Sequence, residues 1–371
     1  MKVLVVSGIW PPDVGGPASH APEVAAFLRA RGHRVEVVTT AEAAPRPEAY
    51  PVHWVSRRRP PGVRHARAAW EVARRARPAD VVYTTGMLGR SAAGARLAGR
   101  PYVVKLTADP AFERARRRGL AHGDVDAFAR ARGPVPAALR AARDAVLRGA
   151  AHVVCPSAWL RDRAVGWGVP ADRVSVLPNP APVAVPGEAP RAEAGRLLAF
   201  AGRLTAQKSL EVALEAVARV EGVTLVLAGD GPERAALERR ASELGLRSRV
   251  RFLGAAPRDE VLALFRSADA SLLSSSWENF PHGVVESLAV GTPVLATRTG
   301  GVAEVVEDGR NGLLVEPGDP EALAEAVRRF FGDAELRSRL RAAAAPSVAA
   351  YAPERVYGRL EEILAAAARG T

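Results

Sequence analysis

The chain has 371 residues, 48% of them apolar, and a formal charge of +12. That length exceeds the size at which one core usually stops growing, so two domains are expected. The single cysteine, Cys155, excludes an internal disulfide and fits a reducing compartment; beside an apolar run it reads as a small buried hydrophobe. No apolar run approaches the roughly 20 residues of a membrane-spanning helix. The opening ten residues are too short for a signal peptide and lack a small-residue cleavage site. Charge is unevenly spread. Residues 1–185 hold 29 Lys+Arg against 14 Asp+Glu, and residues 186–371 hold 23 against 26. A basic first half suggests an anionic partner met by that half. With only 5% aromatics and no interleaved aromatic platform, nucleic acid is not the expected partner.

In chain order, residues 2–7 read as a buried parallel strand. A loop over 8–20 carries Pro11-Pro12 and Gly15-Gly16. A helix over about 18–31, a stop at Gly32 and a strand over 34–39 follow. This strand–helix–strand opening predicts a doubly wound sheet. Its glycines do not fall as G-x-G-x-x-G, so it is not the dinucleotide fingerprint, but Gly15 and Gly16 would let backbone approach a ligand closely. Strands over 52–55, 81–83, 102–106, 152–155 and 173–176 alternate with helices over 63–76, 88–98, 135–147 and 158–165. Asp109 precedes Pro110, where it can cap a helix. On that helix Arg114, Arg117 and Arg118 share a face. With Phe112, Leu120 and Phe128 nearby, the segment is a candidate for contact with an anionic membrane surface, against the plainer reading of a solvated basic face. Asp124-Val-Asp126 spells D-x-D within an Arg-rich region. No other metal-ligand spacing occurs, and no metal is expected. A Pro-rich stretch over 177–190 predicts a stiff linker.

The alternation restarts with a strand over 197–201, then Gly202-Arg203-Leu-Thr-Ala-Gln-Lys208-Ser209 and a helix over 210–220. Arg203 and Lys208 flank a helix N-terminus, where two cations and the helix dipole can hold a diphosphate. A strand over 224–228 leads into Gly229-Asp230-Gly231-Pro-Glu233, and a strand over 250–253 into Gly254. A strand over 270–273 opens the loop Ser276-Trp277-Glu278-Asn279-Phe280-Pro281-His282, which runs into a helix over 283–290. Glu278 and Glu286 frame this loop with seven residues between them. Carboxylates so placed suit sugar hydroxyls, whose hydrogen bonds charge strengthens; in isolation such a pair is more often two solvated acids. Strands over 294–296 and 313–315 and a Gly300-Gly301 turn follow. The last helix, over 353–368, is amphipathic through Val356, Leu360, Ile363 and Leu364.

The loop from Glu278 to Glu286 resembles the E-x7-E motif of family 4 glycosyltransferases, a group of retaining, nucleotide-sugar-dependent enzymes of GT-B fold. The similarity continues through Glu286-Ser-Leu-Ala-Val-Gly-Thr-Pro, Gly300-Gly301-Val-Ala-Glu304 and Asp308-Gly309-Arg-Asn311-Gly312. Residues 202–209 resemble the family's G-R-L-x-x-x-K-G, with Ser209 in place of the last Gly. The resemblance implies an α/β protein with two Rossmann-like doubly wound parallel-sheet domains, over 1–180 and 191–350, facing a cleft. A linker over 181–190 would join them, and a terminal helix over 353–371 would cross back to the first. It implies transfer of a sugar from a UDP- or GDP-linked donor, with retention and no metal or other cofactor. By the same resemblance Arg203 and Lys208 stabilise the departing diphosphate, Glu278 holds the sugar ring and Glu286 the ribose. Asn279, Phe280 and Gly283 supply local and backbone contacts. Gly229, Asp230 and Gly254 lie beside the nucleoside, and Gly15 and Gly16 near the donor phosphates and acceptor. Where many members carry a His, this chain has Thr107-Ala108-Asp109. Asp109 is the best occupant of that position, as a hydroxyl-orienting group or proton acceptor, with Glu113 the alternative base and helix capping the competing role. His20 is expected to pack at its helix terminus. The acceptor is expected to be anionic, as a lipid-linked or polysaccharide precursor, met by a cytoplasmic protein peripheral to the inner membrane. The rivals are a sugar-nucleotide epimerase or hydrolase on the same fold, and a non-catalytic basic nucleic-acid-binding protein.

Overall fold

In the computed structural model, which describes residues 1–13, 16–121, 125–183 and 195–370, the chain divides into two units. One comprises Met1–Pro178 and Val356–Thr371, the other Asn179–Arg355. Gly15, Asp124 and the 184–190 part of the expected linker lie outside the described residues.

The first unit runs β1 (Lys2–Val6), α1 (Gly16–Ala30), β2 (Arg34–Ala41), β3 (Val52–Ser56), α2 (Pro61–Ala76), β4 (Val81–Thr84), α3 (Leu88–Leu97), β5 (Tyr102–Lys105), α4 (Pro110–Arg117), α5 (Val125–Arg130), α6 (Pro134–Arg148), β6 (His152–Cys155), α7 (Ala158–Gly166) and β7 (Val174–Val176). The strands form one parallel sheet in the order β3-β2-β1-β4-β5-β6-β7. The inner strands are continuous apolar runs because both of their faces are covered. Successive side chains of β1 point to opposite faces. Val3 and Val5 join the core with Ala21, Val24 and Leu28 of α1, and Leu4 and Val6 that with Ala68, Val72, Ala92 and Ala95 of α2 and α3.

The second unit runs β8 (Arg196–Ala201), α8 (Leu210–Ala218), β9 (Val223–Ala228), α9 (Arg234–Glu243), β10 (Val250–Gly254), α10 (Arg258–Ser267), β11 (Ala270–Leu273), α11 (His282–Ala289), β12 (Val294–Thr297), β13 (Gly312–Val315), α12 (Pro320–Gly332) and α13 (Ala334–Ser347). Its parallel sheet has the order β10-β9-β8-β11-β12-β13. The final helix, α14 (Pro353–Arg369), places Val356, Leu360, Ile363 and Leu364 in the core beside β1 and α1 of the first unit. Its Tyr357 hydroxyl donates to Glu23 (2.5 Å), and its Glu361 pairs with His33 (2.7 Å).

At the end of β5, Lys105 is buried, and its ammonium donates to the Leu177 carbonyl (2.7 Å). Burial lowers its pKa to about 7, while burial pushes the neighbouring Cys155 thiol up to about 12. Between pH 7 and about 8.5 the unfolded chain therefore binds more protons at Lys105 than the folded one, and stability rises with pH. Above that window the unfolded thiol ionises first, and the slope is opposed. Lys105→Met should remove the rise. Urea unfolding of the wild type should gain on the order of 1 kcal/mol relative to the variant across that window. Parallel pH profiles would contradict the buried-lysine account.

Candidate active site

In the second sheet β8 is flanked by β9 on one side and β11 on the other. The loops leaving the carboxyl ends of β8 and β11 therefore diverge at a topological switch point, where doubly wound sheets bind ligands. The β8 loop is first zipped to the β9 loop. Gly202 N–H donates to the Ala228 carbonyl (2.9 Å) and Leu204 N–H to the Asp230 carbonyl (3.0 Å). Gly229, at φ +148°, makes this approach possible, since a Cβ there would lie 1.8 Å from the Gly202 oxygen. Gly229 N–H also reaches the Gly254 carbonyl (2.7 Å), which brings the end of β10 alongside. Arg203 stands exposed on this ledge and has no ion-pair partner among the described residues. Asp230 is exposed and faces Arg234 (3.6 Å).

A short turn over Ala206–Lys208 then delivers Lys208, and Ser209 follows in the left-handed region (φ 43°) before α8. That conformation suits the glycine of the family motif that Ser209 replaces. No side chain caps α8, which leaves its first N–H groups for an anion. The β11 loop is bound to this turn along its length. Ser276 N–H donates to the Gln207 carbonyl (2.9 Å), Gln207 Nε2 to the Trp277 carbonyl (2.9 Å) and Ser274 Oγ to the Lys208 carbonyl (2.9 Å).

At the centre, Lys208 Nζ is ion-paired with Glu278 Oε1, which also accepts from Ser275 Oγ (2.8 Å). Glu278 is only 4% exposed. The β12 loop closes behind it. Gly301 N–H donates to the Glu278 carbonyl (3.0 Å), and a Cβ on Gly300 would lie 1.9 Å from that oxygen. Glu286, half-buried on α11, pairs with Arg258 (3.2 Å). Asn279 is half-buried in the loop, and Gly283 lies in the first turn of α11 beside the Ala201 carbonyl. Phe280 is a core anchor: it packs edge-on against His282 (5.5 Å) and against Tyr351 (6.3 Å). Asn179 Nδ2 lies 3.0 Å from His282 Nε2. Gln207 and Asn179 carried no signal in the sequence because their partners are 70 and 103 residues away, and Ser275, three residues before Glu278, is unremarkable in type.

In the first unit two sets of candidate residues prove to be packed into the fold. Asp109 is 4% exposed and fully engaged. One oxygen caps α4 by accepting from the Ala111 and Phe112 N–H groups, and the other accepts from buried Arg143 (2.7 Å). Both oxygens are thus engaged, in the helix cap that the sequence offered as the competing role and in an ion pair. Of the apolar residues named beside this basic face, Phe112 and Phe128 are buried and packed against each other at a tilt (5.9 Å), and Leu120 is exposed. Gly16 begins α1, and His20 is hydrogen-bonded to Tyr83 (2.8 Å) within the unit. Asp126 of the D-x-D triplet pairs with Arg163.

Comparison with known proteins bears on this arrangement. The profile described as glycosyl transferase 4-like domain matches residues 15–180, and that described as glycosyl transferases group 1 matches residues 186–346. The chain belongs to the group 1 glycosyltransferases. Among curated members it is 42% identical over 139 residues to the lipopolysaccharide core biosynthesis glycosyltransferase LpsE of Rhizobium meliloti, covering 38% of this chain and 40% of that one. It is 34% identical over 179 residues to the D-inositol 3-phosphate glycosyltransferase of Corynebacterium urealyticum, covering 45% and 42%. The matches thus span about two-fifths of these relatives. Over the whole fold it resembles Anabaena HepE, solved in complex with UDP-glucose, with a TM-score of 0.78, 22% identity and coverage of 99% of this chain and 100% of that one. The two-domain Rossmann-like architecture is that of GT-B glycosyltransferases.

The Lys208–Glu278 pair should govern the stability of the second unit. Lys208→Met leaves a buried carboxylate without its cation and should cost about 2 kcal/mol, below the range for fully buried pairs because Lys208 reaches solvent. Adding Glu278→Gln should recover most of that loss, as read by denaturant unfolding of the four members of the cycle. Additive costs would show that the pair is not coupled.

Proposed function

We propose that the protein transfers a sugar from a nucleoside diphosphate donor, UDP-linked ahead of GDP-linked, to an acceptor hydroxyl, with retention and without a metal. The observation that carries this reading is the convergence of Lys208, exposed Arg203 and the uncapped start of α8 at the switch point of the second sheet. Two cations and free N–H groups suit a diphosphate whose negative charge grows as the sugar leaves, and stabilising that charge is the main electrostatic task. Glu278 holds the Lys208 ammonium in place and its second oxygen is available to a sugar hydroxyl; Glu286 on α11 is suited to the ribose hydroxyls. The solved complex of HepE with UDP-glucose supports the choice of UDP. In the retaining step the acceptor oxygen attacks on the face the phosphate leaves. The C1–O bond to phosphate breaks, the new C1–O bond forms, and the acceptor proton passes to the departing phosphate oxygen. The engagement of Asp109 in a cap and an ion pair favours this route over a side-chain base.

Thermal-shift measurements with UDP, GDP, ADP and their sugar conjugates, without added metal, test the donor. A ligand that binds only the folded state must raise the melting temperature. One nucleotide should do so, and Lys208→Ala should abolish the effect; silence from all of them would overturn the reading. With a turnover assay in hand, Lys208→Ala should lower kcat by roughly 10²–10³. Asp109→Asn should chiefly lower stability, and the reverse ranking would restore a catalytic base at that position.

We also propose a cytoplasmic protein touching an anionic inner-membrane surface through its basic first unit. With Phe112 and Phe128 buried, α2 is the better surface. Val63 (54% exposed), Arg67, Trp70 (49% exposed) and Arg74 fall on one face, and the Arg67 and Arg74 guanidinium carbons lie 4.8 and 5.2 Å from the centre of the Trp70 ring. An aromatic flanked by cations on an amphipathic helix suits the headgroup region. No helix among the described residues is long and apolar enough to cross a membrane. Trp70→Ser should reduce pelleting with phosphatidylglycerol vesicles at low salt several-fold; undiminished pelleting would remove α2 from the contact.

A further inference from the structure

Both glutamates that frame the β11 loop are held by a cation from another loop. Glu278 pairs with Lys208 of the β8 loop, and Glu286 Oε1 accepts from Arg258 Nε (3.2 Å), at the end of the β10 loop. Arg258 is the first residue of α10, where the positive end of the helix dipole disfavours a cation. Acids suit that turn, and Asp259 and Glu260 follow directly. One and two positions on, they do not share the helix face of Arg258, which reaches instead to a carboxylate 28 residues away. Stability does not explain the pair either, because side chains 46% and 21% exposed make an ion pair that contributes little.

The helices beneath the pair are fixed to each other. Phe265, two turns after Arg258 on the same face of α10, is buried. A Cβ on Gly283 of α11 would lie 3.8 Å from its ring, and its carbonyl accepts from Thr292 Oγ1, just beyond α11 (2.7 Å). Arg258 thus stands on a helix locked against the one that carries Glu286, and it ties a carboxylate that otherwise turns about three side-chain bonds.

We propose that Arg258 is the positioning residue for Glu286: it fixes that carboxylate for the ribose hydroxyls of the nucleoside diphosphate and neutralises it beside the phosphates. The ribose role of Glu286 rests on the donor reading above, and the role of Arg258 is additional to it. A carboxylate already oriented loses less rotamer freedom when it accepts from a vicinal diol. Its neutralisation matters because a bare carboxylate repels a diphosphate. With Glu278 and Glu286 each matched by a cation, Arg203, which has no ion-pair partner among the described residues, is left as a net positive charge for the phosphates.

Isothermal titration of the full chain with UDP and 2′,3′-dideoxy-UDP, and with the corresponding GDP pair in parallel, reads the grip on the ribose as a ratio of affinities. The wild type should prefer the ribonucleotide by at least about tenfold, the difference expected for a charge-assisted hydrogen bond. Glu286→Gln and Arg258→Ala should each cut that preference several-fold. The double variant Arg258→Ala/Glu286→Gln should match Glu286→Gln within about twofold, as coupled residues do. Arg258→Lys, which keeps the charge and loses the guanidinium fork, should fall between wild type and Arg258→Ala. A general loosening of the fold weakens both nucleotides alike and leaves the ratio unmoved. A wild-type ratio in Arg258→Ala would overturn the proposal. An equal loss of affinity for both nucleotides would do the same, by placing Arg258 on the base or the phosphates. Failure of every nucleotide to bind would remove the donor reading, and an undiminished preference in Glu286→Gln would remove the ribose role of Glu286; the inference falls with either. A preference erased in Glu286→Gln but intact in Arg258→Ala would remove the role of Arg258 alone and leave the donor reading standing.

Discussion

The ion pair between Lys208 and Glu278 ties together the two loops that leave the second sheet in opposite directions. It is the point on which the rest of the site depends. Burying a carboxylate requires a cation and hydrogen bonds close by, and Lys208 and Ser275 supply them. That requirement sets the path of both loops. The β11 loop returns over the turn at 206–208 through Ser274, Ser276 and Gln207, and the β12 turn packs against the Glu278 carbonyl so closely that only glycine fits at position 300. The Lys208 ammonium is therefore held in place before any ligand arrives, and under the proposed function that spares reorganisation during reaction.

The first unit shows the opposite electrostatic arrangement. Its acids are spent on structure, as with Asp109 in a cap and a buried pair, Glu71 between Arg74 and Arg75, and Glu361 with His33 and Arg31. The asymmetry visible in the residue counts is thus expressed in space on the exposed face of α2, where Arg67 and Arg74 flank Trp70.

The two parallel sheets were legible in the sequence because strands buried on both faces must be continuous apolar runs and their crossovers must be helices. Residues 2–7, 34–39, 197–201 and 270–273 carry that pattern, and their observed bounds differ from the reading by a residue or two. Asp109 shows where reading along the chain fails. Proximity to a strand end made it a candidate base, but its fate was decided by Arg143, 34 residues away on α6. Phe112 and Phe128 looked like surface anchors beside arginines, yet each is the other's packing partner. A motif reports residues that act on a ligand, and it does not report which of their neighbours are already bound to one another.

By itself the sequence determined the fold class, the family and the loops that carry Arg203, Lys208, Glu278 and Glu286, since hydrophobic period and motif spacing are local properties of the chain. Only the tertiary structure decided that Lys208 and Glu278 pair with each other and that Asp109 is held by buried Arg143. These are relations between residues 70 and 34 positions apart in the chain. Their energies depend on distance and burial in three dimensions, and neither can be read from position along the chain.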